Sequence, residues 1–154
     1  FTVDAGVDVV SFGGTKAGLL GGEAVVYLDA ALAQRAKYVR KMVNQLPSKM
    51  RFVAAQFNAL LADDLWIKGA QHSNQMALQL YEATRHIPGV EFDHAPQVNS
   101  LFPQLPADAI AALCDWCFFW DWDISRRQVR WMTAWDTTAD DVDRFAAGVR
   151  HLLG

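Results

Sequence analysis

Ser11-Phe12-Gly13-Gly14-Thr15-Lys16-Ala17-Gly18 is the least ordinary stretch of the sequence: it follows an apolar run and sets one primary amine among glycines and hydroxyls. A lysine amine attacks a carbonyl carbon only in its neutral form, which partial desolvation and a nearby cation favour. The chemistry open to Lys16 is therefore imine formation with an aldehyde. Glycines let the backbone approach a flat ring closely, and Ser11 and Thr15 are of the type that hydrogen-bonds a phosphate. The plainer alternative is a glycine-rich connection ending in a solvated lysine. The segment is not a nucleotide P-loop, because no glycine stands directly before the lysine.

Other reactive residue types fall into less specific patterns. Lys49 and Arg51 follow Pro47 at the start of a helix, where two cations and free amides suit a phosphate, although a solvated helix face is the stronger account. Arg130 on a strand reads, by itself, as a surface arginine. Cys114 and Cys117 have redox-like spacing but no second pair for zinc, and the neighbouring Phe118, Phe119 and Trp120 suggest packed thiols. His72, His86, His94 and His151 show no metal-ligand spacing, and Asp121 with Asp123 lacks the glycine and spacing of a calcium loop, so no metal site is expected. Trp116, Trp120, Trp122, Trp131 and Trp135 crowd one region, and cross-strand aromatic packing explains them more simply than a sugar platform.

These residues need elements to hold them. Val7, Val9 and Phe12 alternate like a strand, Ala24 to Leu28 forms a second, and the lysine loop joins them. Asp29 is placed to cap a helix bearing Leu32, Ala36, Val39 and Val43. Pro47 ends it, and Ser48 is placed to cap a second helix carrying Met50, Val53, Ala54, Phe57 and Leu61. A third includes Ile67, Ala70, Ala77 and Tyr81. After Pro88-Gly89 come strand-like runs at Val90 to Asp93, Val98 to Phe102, Cys117 to Trp122 and Val129 to Trp135, with a helix from Pro106 to Leu113. Thr138 with Asp141 forms a capping box before a final helix with Val142, Phe145, Val149 and Leu152. The expected fold is α/β or α+β, with helices packed on a small, mainly antiparallel sheet.

Composition narrows the partners. The chain has 154 residues, 52% of them hydrophobic and 20% charged, which fits one ordinary domain and excludes a disordered polyelectrolyte. A net charge of -3 gives no basic footprint for nucleic acid. No apolar run nears the roughly 18 to 20 residues that span a bilayer, and the start lacks a secretion-signal pattern. A cytoplasmic protein with reduced thiols is the expectation.

Read together, VDVVSFGGTKAGLLGGEAVVYL, RKMVNQLPSKMRFVAAQFNALL, AQHSNQMALQL and VRWMTAWDTTADDVDRF resemble the low-specificity L-threonine aldolases, in the same order and over nearly the whole chain. These are β-eliminating-lyase-type enzymes of the aminotransferase-like fold type I. The resemblance implies pyridoxal 5'-phosphate as cofactor, Lys16 as its covalent anchor with Thr15 and Ser11 as neighbours, and Arg130 as the clamp of the substrate carboxylate. It implies a homo-oligomer, dimer or tetramer, in which Lys49 and Arg51, by their residue type and place on the helix, are candidates for a phosphate contact across subunits. Ala17 and Ala134 depart from the family, which often carries polar residues there.

The resemblance also implies a C-terminal piece of a longer enzyme, with residues 1–46 ending the cofactor domain and 47–154 forming the small domain. The missing N-terminal half would supply the acidic partner of the pyridine nitrogen, a ring-stacking histidine, most phosphate contacts and a second arginine. The expected activity of the intact enzyme is aldol cleavage of L-threonine or a related β-hydroxy-α-amino acid to glycine and an aldehyde. The piece alone is expected to hold the cofactor weakly. Competing readings are a β-eliminating lyase on the same cofactor, or a silent piece serving as an oligomerisation domain.

Overall fold

The computed structural model describes residues 2–154, which form two compact units, one up to Trp66 and one from Ile67. In the first unit, strands β1 (Val9–Gly13) and β2 (Glu23–Tyr27) pair antiparallel, from Val9 opposite Tyr27 to Gly13 opposite Glu23. Alternation places Val10 and Phe12 on the half-buried face and Ser11 and Gly13 on the exposed one. The Phe12 ring meets Phe57 at 6.1 Å and Trp66 at 5.9 Å between centroids. This aromatic contact seats the hairpin on the helical part of its unit.

Asp29 caps the next segment as its chemistry suggests, its carboxylate accepting from the Ala31 N–H at 2.7 Å. The single amphipathic helix expected after it is instead two short ones, α1 (Ala30–Ala33) and α2 (Ala36–Met42), interrupted at Gln34 and Arg35. Neither contains a buried residue, so no packing enforces a continuous helix. Helix α3 (Met50–Leu61) follows Pro47. Its N-cap is Lys49, without a side-chain cap bond, rather than Ser48. Leu60 is its one buried residue among those described, with Val53 and Phe57 half-buried on the same side.

A tight turn at Ala62–Asp64 leads into α4 (Leu65–Thr84). Asp63 and Asp64 adopt φ of 50° and 57°, a conformation that short polar side chains tolerate better than most.

The second unit has a three-stranded antiparallel sheet in the order β3 (Ser100–Leu101), β5 (Gln128–Met132), β4 (Trp120–Asp123). Helices α4, α5 (Ala107–Trp116) and α6 (Ala139–Leu153) surround its core. Val129 and Trp131 of β5 are buried with Leu80, Leu101, Leu113 and Val149. Rings continue the core from Tyr81 through Phe92 and Trp131 to Phe145, with centroids 5.0, 6.3 and 5.0 Å apart. Burial of the aliphatic side chains together with these rings is the main favourable term holding the unit together.

The strands are shorter than the sequence runs. Val90 to Asp93 yields one bridge, Glu91 to Gln104, because Pro88-Gly89 and Pro96 bound it closely. Cys117 closes α5 instead of opening a strand, its N–H donating to Leu113 O at 2.8 Å. The expected capping box is present: Thr138 Oγ1 accepts from Asp141 N at 3.1 Å, and Asp141 Oδ2 accepts from Thr138 N at 3.0 Å.

Candidate functional site

The lysine loop is built by the hairpin it interrupts. Beyond β1 the chain makes a single 3₁₀ turn, Thr15–Ala17, closed by Ala17 N–H to Gly14 O at 3.0 Å and Leu19 N–H to Gly14 O at 3.1 Å. Gly18 reverses direction with φ of 102°, which glycine adopts without strain. The Gly14 N–H donates to Gly22 O at 2.9 Å, and the Gly22 N–H donates to Thr15 Oγ1 at 3.2 Å. Gln56 of α3 accepts from the Leu20 N–H at 2.8 Å. The loop is thereby tied at both flanks.

Lys16 stands on this frame with its side chain exposed and without a hydrogen-bond or ion-pair partner among the described residues. A lysine on a pinned turn whose ammonium has no counter-charge is available for chemistry. Thr15 uses one lone pair on Gly22 and keeps its hydroxyl hydrogen. Ser11 lies on the exposed face of β1, with Val25 opposite.

In the second unit, Arg130 is carried by β5 with Trp120 directly opposite on β4. A β-bulge between Asp121 and Asp123 makes Trp122 the extra residue of β4. The guanidinium carbon of Arg130 lies 5.8 Å from the centre of the Trp122 ring, which in turn meets Phe102 at 4.8 Å. No carboxylate or carbonyl among the described residues accepts from the Arg130 side chain, and its Nε is buried without a partner. Leaving such a donor unpaired costs about 1–3 kcal/mol, a cost that an arriving anion removes.

Comparison with known proteins places the chain beside one enzyme family. A low-specificity L-threonine aldolase of Pseudomonas aeruginosa is 40% identical over 152 residues, covering 97% of this chain and 43% of that protein. A second, from a Pseudomonas sp. strain, is 38% identical over 154 residues, covering 99% of this chain and 44% of the relative. The chain matches the C-terminal part of the low-specificity L-threonine aldolases. Among solved structures, a threonine aldolase from Leishmania major has a TM-score of 0.85 at 28% identity, covering 99% of this chain and 45% of that one. No family model matches. The chain thus spans less than half the length of the threonine aldolases it matches, and its fold, helices packed with small antiparallel sheets, is theirs.

The remaining candidates divide clearly. Lys49 caps α3 and Arg51 lies in its first turn, both exposed, with the Arg51 guanidinium 5.0 Å from the centre of the Phe52 ring. They share the first unit with Lys16, Thr15 and Ser11, while Arg130 belongs to the second. Cys114 is half-buried, its thiol donating to Phe119 O at 3.5 Å, whereas Cys117 is exposed rather than packed. Although the residue as a whole is exposed, partial desolvation of its sulfur, then the neighbouring Cys114, push the Cys117 thiol above its ordinary value. No three acidic, thiol or imidazole groups gather as a metal site among the described residues, and no described helix is long and apolar enough to cross a membrane.

Two supporting residues escape a sequence reading. Gln56 looks like any polar residue on an exposed helix face, yet its amide oxygen holds the lysine loop. Trp122 reads as one aromatic in a crowd, because only the bulge brings it to Arg130. The local signal for it is an alternation of aromatic and acidic residues, Trp120-Asp121-Trp122-Asp123, on an edge strand.

Proposed function

We propose that this chain is the C-terminal part of a pyridoxal-phosphate-dependent aldolase that cleaves L-threonine, or a related β-hydroxy-α-amino acid, to glycine and an aldehyde. The observation that carries the reading is the unpartnered Lys16 amine on a turn fixed by Thr15, Gly22 and Gln56. These residues fit the cofactor's covalent end: a primary amine free of competing partners, beside a hydroxyl that can still donate. Pyridoxal 5'-phosphate supplies, when bound, an electron sink for the pair released as a bond to the substrate's Cα breaks.

The chain's own residues do the rest of what falls to this part. Lys16 Nζ would hold the cofactor through its aldehyde carbon. Thr15 and Ser11 are hydroxyl donors for the cofactor's oxygens. Arg130 offers its planar fork to the substrate carboxylate through two parallel charge-assisted hydrogen bonds. A carboxylate held at two points fixes rotation about the bond to Cα, and so decides which substituent is placed for cleavage.

In this reading residues 1–46 close the cofactor domain and residues 47–154 form the small domain, in a cytoplasmic homo-oligomer whose Lys49 and Arg51 meet a phosphate in another subunit. The first unit leaves Tyr38, Met42 and Val43 exposed, which fits surface covered by further protein. Product analysis on the whole enzyme tests the activity. Threonine should give glycine and acetaldehyde in equal amounts, whereas a keto acid with ammonia would place the enzyme among the β-eliminating lyases. Replacing Arg130 with Lys should raise KM about tenfold or more, and an unchanged KM removes the carboxylate role.

A further inference from the structure

The geometry points to Trp122 as a positioning residue that aims Arg130, an inference resting on the reading of Arg130 as carboxylate anchor. A strand arginine is ordinarily steadied by an acid or a carbonyl, and each such bond uses part of its fork. Arg130 has neither among the described residues; the group against it is the Trp122 ring, at 5.8 Å. The nearby acids are otherwise disposed. Asp123 accepts from Ser125 Oγ at 2.6 Å and from Arg126 N at 3.2 Å, and Asp121 stands opposite Val129. A cation held against an aromatic ring is restrained while its N–H donors stay free.

The surroundings of Trp122 are built to keep the ring in place. The bulge removes Trp122 from the regular β4–β5 pairing, a device that re-aims a side chain. Phe102 packs on the ring at 4.8 Å, and Gln128 Nε2 donates to Phe102 O at 3.0 Å, fixing the backbone beneath it. Trp122 itself is 58% exposed, so it contributes little to the core, and its truncation is expected to leave the fold standing.

Steady-state kinetics on the whole cofactor-loaded enzyme test this. Trp122→Leu should raise KM for threonine about threefold to tenfold with kcat within about twofold and an unchanged melting temperature. Trp122→Phe, which keeps a ring, should recover most of the loss. In an Arg130→Lys background, Trp122→Leu should add little, because the fork it aims is already gone. If Arg130→Lys raises KM but Trp122→Leu does not, the Trp122 role fails and the carboxylate role stands. If Arg130→Lys leaves KM unchanged, both fail. Equal damage from Leu and Phe at position 122, or full additivity of the two changes, also overturns the positioning role.

Discussion

The side-chain oxygen of Gln56 accepts a hydrogen bond from the Leu20 N–H at 2.8 Å, and thereby ties the far flank of the Lys16 loop to α3. The amide is oriented within its own helix, because Gln56 Nε2 donates to Phe52 O at 3.2 Å. The loop's geometry is therefore shared between a hairpin and a helix that sequence places well apart.

Replacing Gln56 with Ala should free the Leu20 amide at a cost of about 0.5–1.5 kcal/mol in loop stability. Hydrogen exchange is expected to quicken at Leu20 while the β1–β2 pairs keep their protection. Unchanged exchange at Leu20 would mean the bond does not hold the loop.

Gly14 is buried, and a methyl group there would collide with the Leu19 side chain and reach within 3.0 Å of Phe57 Cζ. Gly14→Ala should lose about 1–3 kcal/mol by overpacking, and should reduce cofactor loading in the whole enzyme by shifting the turn that presents Lys16. Denaturant midpoints and the cofactor absorption band measure the two effects. Loading equal to the unaltered enzyme would show that the turn has more slack than this close approach allows.

The Thr138–Asp141 box makes the end of the chain acid-sensitive. The Thr138 hydroxyl foremost, then the Thr138 N–H and Arg144, hold the Asp141 carboxyl below its ordinary value. A carboxyl lowered in the folded state contributes stability that is complete above its unfolded pKa, about 4. That contribution is lost as pH falls through the lower folded value. Asp141→Asn should accordingly flatten the fall in urea midpoint below about pH 4, and a slope identical to that of the unaltered chain would contradict the assignment. Thr138→Ala at neutral pH should cost about 1 kcal/mol.

What could be read from the sequence depended on the range of the physics involved. The Thr138 box and the Asp29 cap rest on groups two or three residues apart, so residue type and spacing suffice. The hairpin around Lys16 was legible for the same reason, since alternation sets its faces. Helix continuity from Leu32 to Val43 was not: apolar spacing alone does not hold a helix that no neighbour buries, and the chain breaks at Arg35. The Cys117 strand failed because α5 ran on to Trp116. At the candidate site, Lys16 was marked by its glycines, whereas Arg130 stood out only through resemblance. Its unpaired Nε and its contact with Trp122 depend on a bulge between strands, which one-dimensional spacing does not encode.

The account turns on Lys16, and reductive trapping with borohydride followed by peptide mapping of the whole, cofactor-loaded enzyme probes it most directly. The label is expected on the peptide bearing Lys16, and Lys16→Ala should abolish it. Attachment at another lysine, or no covalent attachment at all, would contradict the assignment of this loop as the seat of the chemistry.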